Sequence, residues 1–148
     1  LKNAVAIAMG LGTGLGWPAN TRSFLFTKGL AEIRQVGLAL GAAPATFYGL
    51  AGIGDLFLTS TSPDSLNYRL GIELGQGRGL DEILAGMPEE PEGINSTRGC
   101  RALAARAGVP VAIAARTLQI IEGQASPASL EEALVGPAHS GVDYDAVC

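Results

Sequence analysis

The chain has 148 residues, of which 47% are hydrophobic and only 16% charged, with a formal net charge of −4. That is enough apolar material for one well-filled core, and an acidic chain without a basic run gives no electrostatic footing to nucleic acid or an anionic membrane surface. Two cysteines, Cys100 and Cys148, and one histidine, His139, exclude a disulfide framework and suit no metal site, so reduced thiols in a cytoplasmic protein are expected.

Read from its beginning, the sequence opens on Leu1 inside an apolar helical pattern, with neither a methionine nor a signal peptide, and is expected to extend upstream. Residues 4–19 are uncharged but too few to cross a bilayer, which takes roughly 20. Gly10, Gly12, Gly14 and Gly16 fit poorly in this first helix, since each costs about 1 kcal/mol relative to alanine. Either the helix ends early, or close packing offsets the cost.

Phe26, Leu30, Ile33, Gly37 and Leu40 recur at helical spacing and predict a helix over 20–40. Asn20 is its expected N-cap, Gly41 its stop, and Arg22, Glu32, Arg34 and Gln35 are expected to face away from the core. Pro44 restarts a short helix, so residues 36–54 read as helix, break, short helix and loop rather than as a membrane span.

Ser62-Pro63 is expected to open a helix running to Leu74, followed by a short one over 80–85. Gly75-Gln76-Gly77-Arg78-Gly79 lacks the preceding strand and the Gly-Lys-Ser/Thr ending of a phosphate loop, and reads as a turn. A helix over 95–107 ends at Gly108. Pro110 opens another, with Val111, Ala114, Leu118 and Ile121 on one face and Gly123 at its end. Ser126-Pro127 signals a last helix ending near Val135, and residues 136–148 are expected to fray. With no sustained apolar–polar alternation anywhere, the fold class is all-α: a single helical domain.

Three polar islands interrupt this pattern: Leu1-Lys2-Asn3, Gly52-Ile53-Gly54-Asp55 with Thr59, and Ser62-Pro63-Asp64-Ser65-Leu66-Asn67. Lys2 precedes an uncharged apolar segment, where partial desolvation of its ammonium would suit it to general acid–base work; a surface lysine at a helix start is the plainer reading. Asp55 is a lone carboxylate among glycines and apolar residues, so it either pairs, with Lys2 the natural partner, or caps a short helix. Ser65 and Asn67 stand where free N–H groups and a positive dipole end suit a phosphate, although capping alone also explains them.

Taken in order, Leu1-Lys2-Asn3-Ala4-Val5-Ala6-Ile7-Ala8, Thr27-Lys28-Gly29-Leu30-Ala31-Glu32, the stretch from Gly49 to Leu56, Thr59-Ser60-Thr61-Ser62, Ser65-x-Asn67, Leu74-Gly75-Gln76-Gly77 and Glu92-Gly93 resemble one family. It is the C-terminal domain of NAD(P)-dependent glycerol-3-phosphate dehydrogenases. The resemblance implies a substrate-binding helical domain like that of 6-phosphogluconate dehydrogenase, preceded by a Rossmann domain that binds NAD or NADP. It implies reversible oxidation of sn-glycerol 3-phosphate to dihydroxyacetone phosphate, feeding phospholipid synthesis.

By the same resemblance Lys2 is the catalytic lysine and Asp55 a substrate-binding aspartate. Ser65 and Asn67 hold the phosphate end, Asn3 and Thr59 adjoin the substrate, and Glu90 and Glu92 lie on the cofactor side. Leu66 departs from the pattern, since the family carries there an arginine that contacts phosphate and cofactor; Arg69, further along, is a candidate to reach in. The partners implied are a small phosphorylated substrate and the chain's own upstream domain, with a homodimer left open by the exposed domain interface. A free-standing helical module without catalysis, or a dehydrogenase for another small phosphorylated alcohol, are the alternatives.

Overall fold

The computed structural model describes residues 1–136. Eight α-helices follow one another: α1 (Lys2–Gly14), α2 (Ala19–Ala39), α3 (Asp55–Thr61), α4 (Leu66–Gly75), α5 (Leu80–Ala85), α6 (Gly93–Ala107), α7 (Ala112–Ile121) and α8 (Leu130–Val135). A 3-10 turn at Pro44–Phe47 and a π-helical turn at Leu50–Gly54 join α2 to α3, and a second 3-10 turn at Pro127–Ser129 leads into α8. No strand occurs among the described residues, in line with the all-α expectation. His139, Cys148 and the expected frayed tail beyond Gly136 lie outside the described residues.

The centre of the fold is α1. Residues 4–12 are all buried, and the helix packs against α2, α3, α4, α6 and α7. A helix that is apolar all round has no solvent face to present, which is why its sequence carries no amphipathic stripe.

Its glycines meet those of α4. A Cβ added to Gly10 would lie 2.1 Å from the Tyr68 carbonyl oxygen, and one on Gly14 2.1 Å from that of Ile72. Reciprocally, a Cβ on Gly71 would lie 2.1 Å from the Ile7 carbonyl oxygen, and one on Gly75 2.6 Å from that of Leu11. The two backbones therefore touch without side chains between them, and Gly10 facing Gly71 while Gly14 faces Gly75 makes the helices run in the same direction. Both branches of the earlier alternative hold: packing occupies Gly10 and Gly14, and the helix ends at Gly14, with Gly16 turning the chain at φ +74.

Three expectations need correction. Helix α2 starts at Ala19 with Pro18 as its N-cap, not at Asn20. Helix α4 starts at Leu66 with Ser65 as N-cap, because Ser62 Oγ instead accepts from Asp64 N and closes a local turn ahead of it. The fully buried residues of α2 are Leu25, Gly29, Glu32, Val36 and Gly37, so the deepest line runs one residue off the expected face. Of that face Gly37 is buried, Phe26, Leu30 and Ile33 pack at the core's edge, and Leu40 is 52% exposed. Two features that a hydrophobicity count cannot see rotate the helix. Gly29 admits Val5, whose methyl groups would lie within 2.9 Å of an added Cβ. Glu32, expected outside, is only 4% exposed.

Glu32 is inside because α7 needs it. Helix α7 begins after Val111, which gives no side-chain cap, and the Glu32 carboxylate accepts from Ile113 N at 2.8 Å and Ala114 N at 3.2 Å. An anion at a helix start satisfies orphan donors and complements the dipole. Burial nevertheless pushes the Glu32 carboxyl above its ordinary 4.5, partly offset by the bonds from Ile113, Ala114 and Ala112 and by the Lys28 charge.

Two predictions follow from this packing. Gly10→Ala should destabilise the chain by about 3 kcal/mol or more, since backbone on the other side cannot yield. Gly99→Ala, whose Cβ meets nothing within 4 Å in the middle of α6, should stabilise it by about 0.5–1 kcal/mol. Urea denaturation midpoints of the two variants separate these outcomes. Glu32→Ala strands two buried N–H groups and should cost about 1–3 kcal/mol. Because the folded carboxyl titrates above 4.5, the stability it contributes is complete below that value and is lost as pH rises through the folded value. Glu32→Gln should therefore gain on the unsubstituted chain as pH rises, which midpoints measured across the acid-to-neutral range will show.

Candidate active site

Four helix starts meet at one end of the molecule. Lys2 opens α1, Asp55 opens α3, Ser65 caps α4 and Gly93 opens α6. The shared direction of α1 and α4 places the first and third of these at the same end, and side-chain bonds tie in the others.

Lys2 Nζ donates to Asp55 Oδ2 across the gap between α1 and α3. Thr59, one turn along α3, donates from Oγ1 to the other carboxylate oxygen at a long 3.5 Å. The pairing foreseen for Asp55 is thus present, and capping is not its role, since the N-cap of α3 is Gly54. Lys2 takes the plainer of its two readings, a surface lysine at a helix start, rather than the desolvated one: its side chain is 46% exposed, and that of Asp55 39%. An exposed pair contributes little stability, about 0–1 kcal/mol. A lysine at a helix start also stands at the wrong end of the dipole for a cation, and Asp55 offsets that. The arrangement holds an ammonium beside a carboxylate in solvent reach, a group able to exchange a proton with a neighbouring hydroxyl.

Just before Asp55 the chain makes its π-helical turn. Gly52 lies so close to the 3-10 turn that an added Cβ would sit 2.6 Å from the carbonyl oxygens of Thr46 and Phe47. That contact braces the start of α3, and π-turns recur at functional sites.

On the other side of Lys2, Asn3 Nδ2 donates to Ser96 Oγ at 3.4 Å, linking α1 to the first turn of α6. Ser65 Oγ accepts from Tyr68 N at 3.3 Å, so it caps α4. Asn67 Oδ1 accepts from Gly93 N at 2.8 Å and caps α6 from a different helix. Glu92, the N-cap residue of α6, makes no side-chain cap bond; it and Glu90 are exposed, and Leu66 is half-buried at the first position of α4. Arg69, one turn beyond Leu66, is exposed. The starts of α1, α4 and α6 turn the positive ends of three helix dipoles toward this end of the molecule, which suits an anion.

Of the residues grouped from the sequence, the structure joins Lys2, Asp55 and Thr59 by hydrogen bonds, ties Asn3 and Asn67 to the first turn of α6, and leaves Ser65 bonded within α4. Sequence reading missed Ser96 and the amide of Gly93. Nothing in the sequence marks Ser96, and a backbone donor carries no residue signature. A separate cleft of about 630 Å³, lined by residues including Leu74, Arg78, Leu80, Ile121 and Glu122, lies at the far end of α4 and gathers none of these groups. Among the described residues no helix is long and apolar enough to cross a membrane.

A family profile described as "NAD-dependent glycerol-3-phosphate dehydrogenase C-terminus" matches residues 1–132. The chain belongs to this family. Glycerol-3-phosphate dehydrogenase [NAD(P)+] 2 of Sphingopyxis alaskensis is 49% identical over 124 residues, which are 84% of this chain and 37% of that protein. Glycerol-3-phosphate dehydrogenase [NAD(P)+] of Geobacter sp. strain M21 is 47% identical over 128 residues, 86% of this chain and 38% of that one. The chain therefore spans well under half the length of these relatives.

Among solved structures, the glycerol-3-phosphate dehydrogenase of Coxiella burnetii superposes with a TM-score of 0.87 at 32% identity, over 92% of this chain and 42% of that chain. A structure of the Dunaliella salina protein DsGPDH shares the fold, with a TM-score of 0.78 at 22% identity over 91% of this chain and 25% of that one.

The exposure of the Lys2–Asp55 pair makes a direct prediction for this family member. Lys2→Met and Asp55→Asn should each shift the unfolding free energy by less than about 1 kcal/mol. A loss of several kcal/mol in denaturant titrations would make the pair a structural element instead.

Proposed function

We propose that this chain is the substrate-binding and proton-transferring half of a dehydrogenase that interconverts sn-glycerol 3-phosphate and dihydroxyacetone phosphate. The observation that carries the reading is the Lys2–Asp55 pair, set beside Ser65 and Asn67 at the joined helix starts. One end offers a proton-exchanging ammonium, the other an anion-binding surface, as a small phosphorylated alcohol requires.

In this reading the Lys2 ammonium gives a proton to the carbonyl oxygen of dihydroxyacetone phosphate as it becomes the C2 hydroxyl. The amine so formed takes that proton back in the oxidation direction. The ammonium's positive charge stabilises the oxygen as negative charge develops there. Asp55 keeps the ammonium in line, and Thr59 holds the second carboxylate oxygen. Asn3, tied to Ser96, borders the alcohol end. Ser65, Asn67 and the helix starts around them receive the phosphate.

The hydride acceptor would be NAD or NADP. No glycine-rich turn follows a strand among the described residues, so the dinucleotide does not fit this chain alone. An upstream Rossmann domain is proposed to hold it, with Glu90, Glu92 and Leu66 on the side that faces it. A cytoplasmic location, association into a homodimer and a supply role toward phospholipid synthesis belong to the same proposal.

Leu66 is the residue in tension with it. A leucine at the first position of α4 gives the phosphate no charge-assisted bond, whereas an arginine there would give two. In the protein that includes the nucleotide domain, Lys2→Ala should lower kcat by about a hundredfold or more, measured as NAD(P)H oxidation with dihydroxyacetone phosphate. Leu66→Arg should lower KM for that substrate while leaving kcat nearly unchanged. Retained turnover in Lys2→Ala would remove the lysine from the chemistry, and an unchanged KM in Leu66→Arg would place the phosphate elsewhere.

A further inference from the structure

We propose that Gly93 is a positioning residue for the phosphate end of the site: its amide turns Asn67 so that this side chain offers a ligand hydrogen-bond donors only. The inference rests on the phosphate reading above and adds what sets the polarity of Asn67.

A side-chain amide has two nearly isosteric ends, and only its partners decide which way it faces. Here the decision is chemical. A backbone N–H can donate but never accept, so the Asn67 atom 2.8 Å from Gly93 N must be the carbonyl oxygen. The NH₂ group is then the end left over. Nδ2 makes no hydrogen bond among the described residues and is not fully buried, so its donors are open to solvent. Accepting at Oδ1 also polarises the amide and strengthens the remaining N–H groups as donors.

Such an asparagine matches the acceptor-only oxygens of a phosphate dianion. The opposite orientation would turn lone pairs toward the anion. Gly93 enforces the choice by its shape as well as its N–H. A Cβ there would lie 2.2 Å from Asn67 Oδ1, 2.9 Å from Asn67 Cγ and 2.7 Å from Ile7 Cδ1. Any side chain at position 93 therefore pushes Asn67 off the amide that orients it. Gly93 also opens the 15-residue α6, so the same hydrogen bond that aims Asn67 caps that helix.

The two roles separate in Asn67→Asp. The carboxylate still accepts from Gly93 N and suits a helix start, so the urea midpoint should hold or rise. Its donors are gone, however, and a negative charge faces the ligand. Titration calorimetry of the chain with inorganic phosphate should show affinity falling by about tenfold or more in Asn67→Asp. Gly93→Ala should weaken phosphate binding in the native background and add nothing in an Asn67→Ala background, because Gly93 acts through Asn67.

Phosphate affinity within about twofold of the unsubstituted chain in Asn67→Asp would overturn the proposal, as would an equal loss from Gly93→Ala with and without Asn67. Should Gly93→Ala fail to fold, Asn67→Asp decides alone. If the unsubstituted chain binds no phosphate, the phosphate reading itself fails and takes this inference with it.

Discussion

The contact of bare backbone between α1 and α4 is the constraint on which the rest of this structure depends. Gly10 and Gly14 on one helix and Gly71 and Gly75 on the other let carbonyl oxygens approach where a Cβ would otherwise stand. Four helical glycines cost about 1 kcal/mol each in backbone freedom, and dense packing of two long elements must offset it. What the fold obtains is a fixed register between two helices running the same way. Lys2 and Asn3 at one start, and Ser65 and Asn67 at the other, then share one end of the molecule. The candidate site sits at the end of this close backbone contact, which is where a site needing fixed distances belongs.

A second theme is capping from a distance. Neither Glu92 nor Val111 provides a side-chain cap for the helix it precedes. Helix α6 takes its acceptor from Asn67 on α4, and α7 takes two from Glu32 on α2. Each borrowed cap ties two helices together with a bond that apolar packing alone would not specify. Asn67 thereby belongs to the fold and to the candidate site at once. Glu32 belongs to the fold alone, at the expense of a buried carboxyl held above its ordinary range.

These two features explain which parts of the fold the sequence makes legible and which it does not. Helix stops were legible because a glycine at positive φ has a local cause; Gly108 and Gly123 sit at φ +67 and +69 just after α6 and α7. The Lys2–Asp55 pairing was legible because a lone carboxylate in an apolar neighbourhood needs a cation, and Lys2 was the natural one. The face of α2 was not legible, since Gly29 and Glu32 are buried for reasons lodged in α1 and α7. Nor was the start of α4, where Ser62 and Ser65 are both plausible caps and only the turn between them decides. The exposure of Lys2 follows the plainer of its two readings: an apolar helix comes after it, but its side chain leaves that helix at the solvent end.

The family match and the geometry point the same way, and Leu66 is the one residue that strains the agreement. The most direct test of the account is to map amide chemical shifts of the chain during titration with sn-glycerol 3-phosphate. Shifts confined to the starts of α1, α3, α4 and α6, with Lys2, Asp55, Asn67 and Ser96 among those that move, are the expected result. Shifts gathered instead around Leu74, Arg78 and Ile121 at the far end of α4, or none at all, would contradict it.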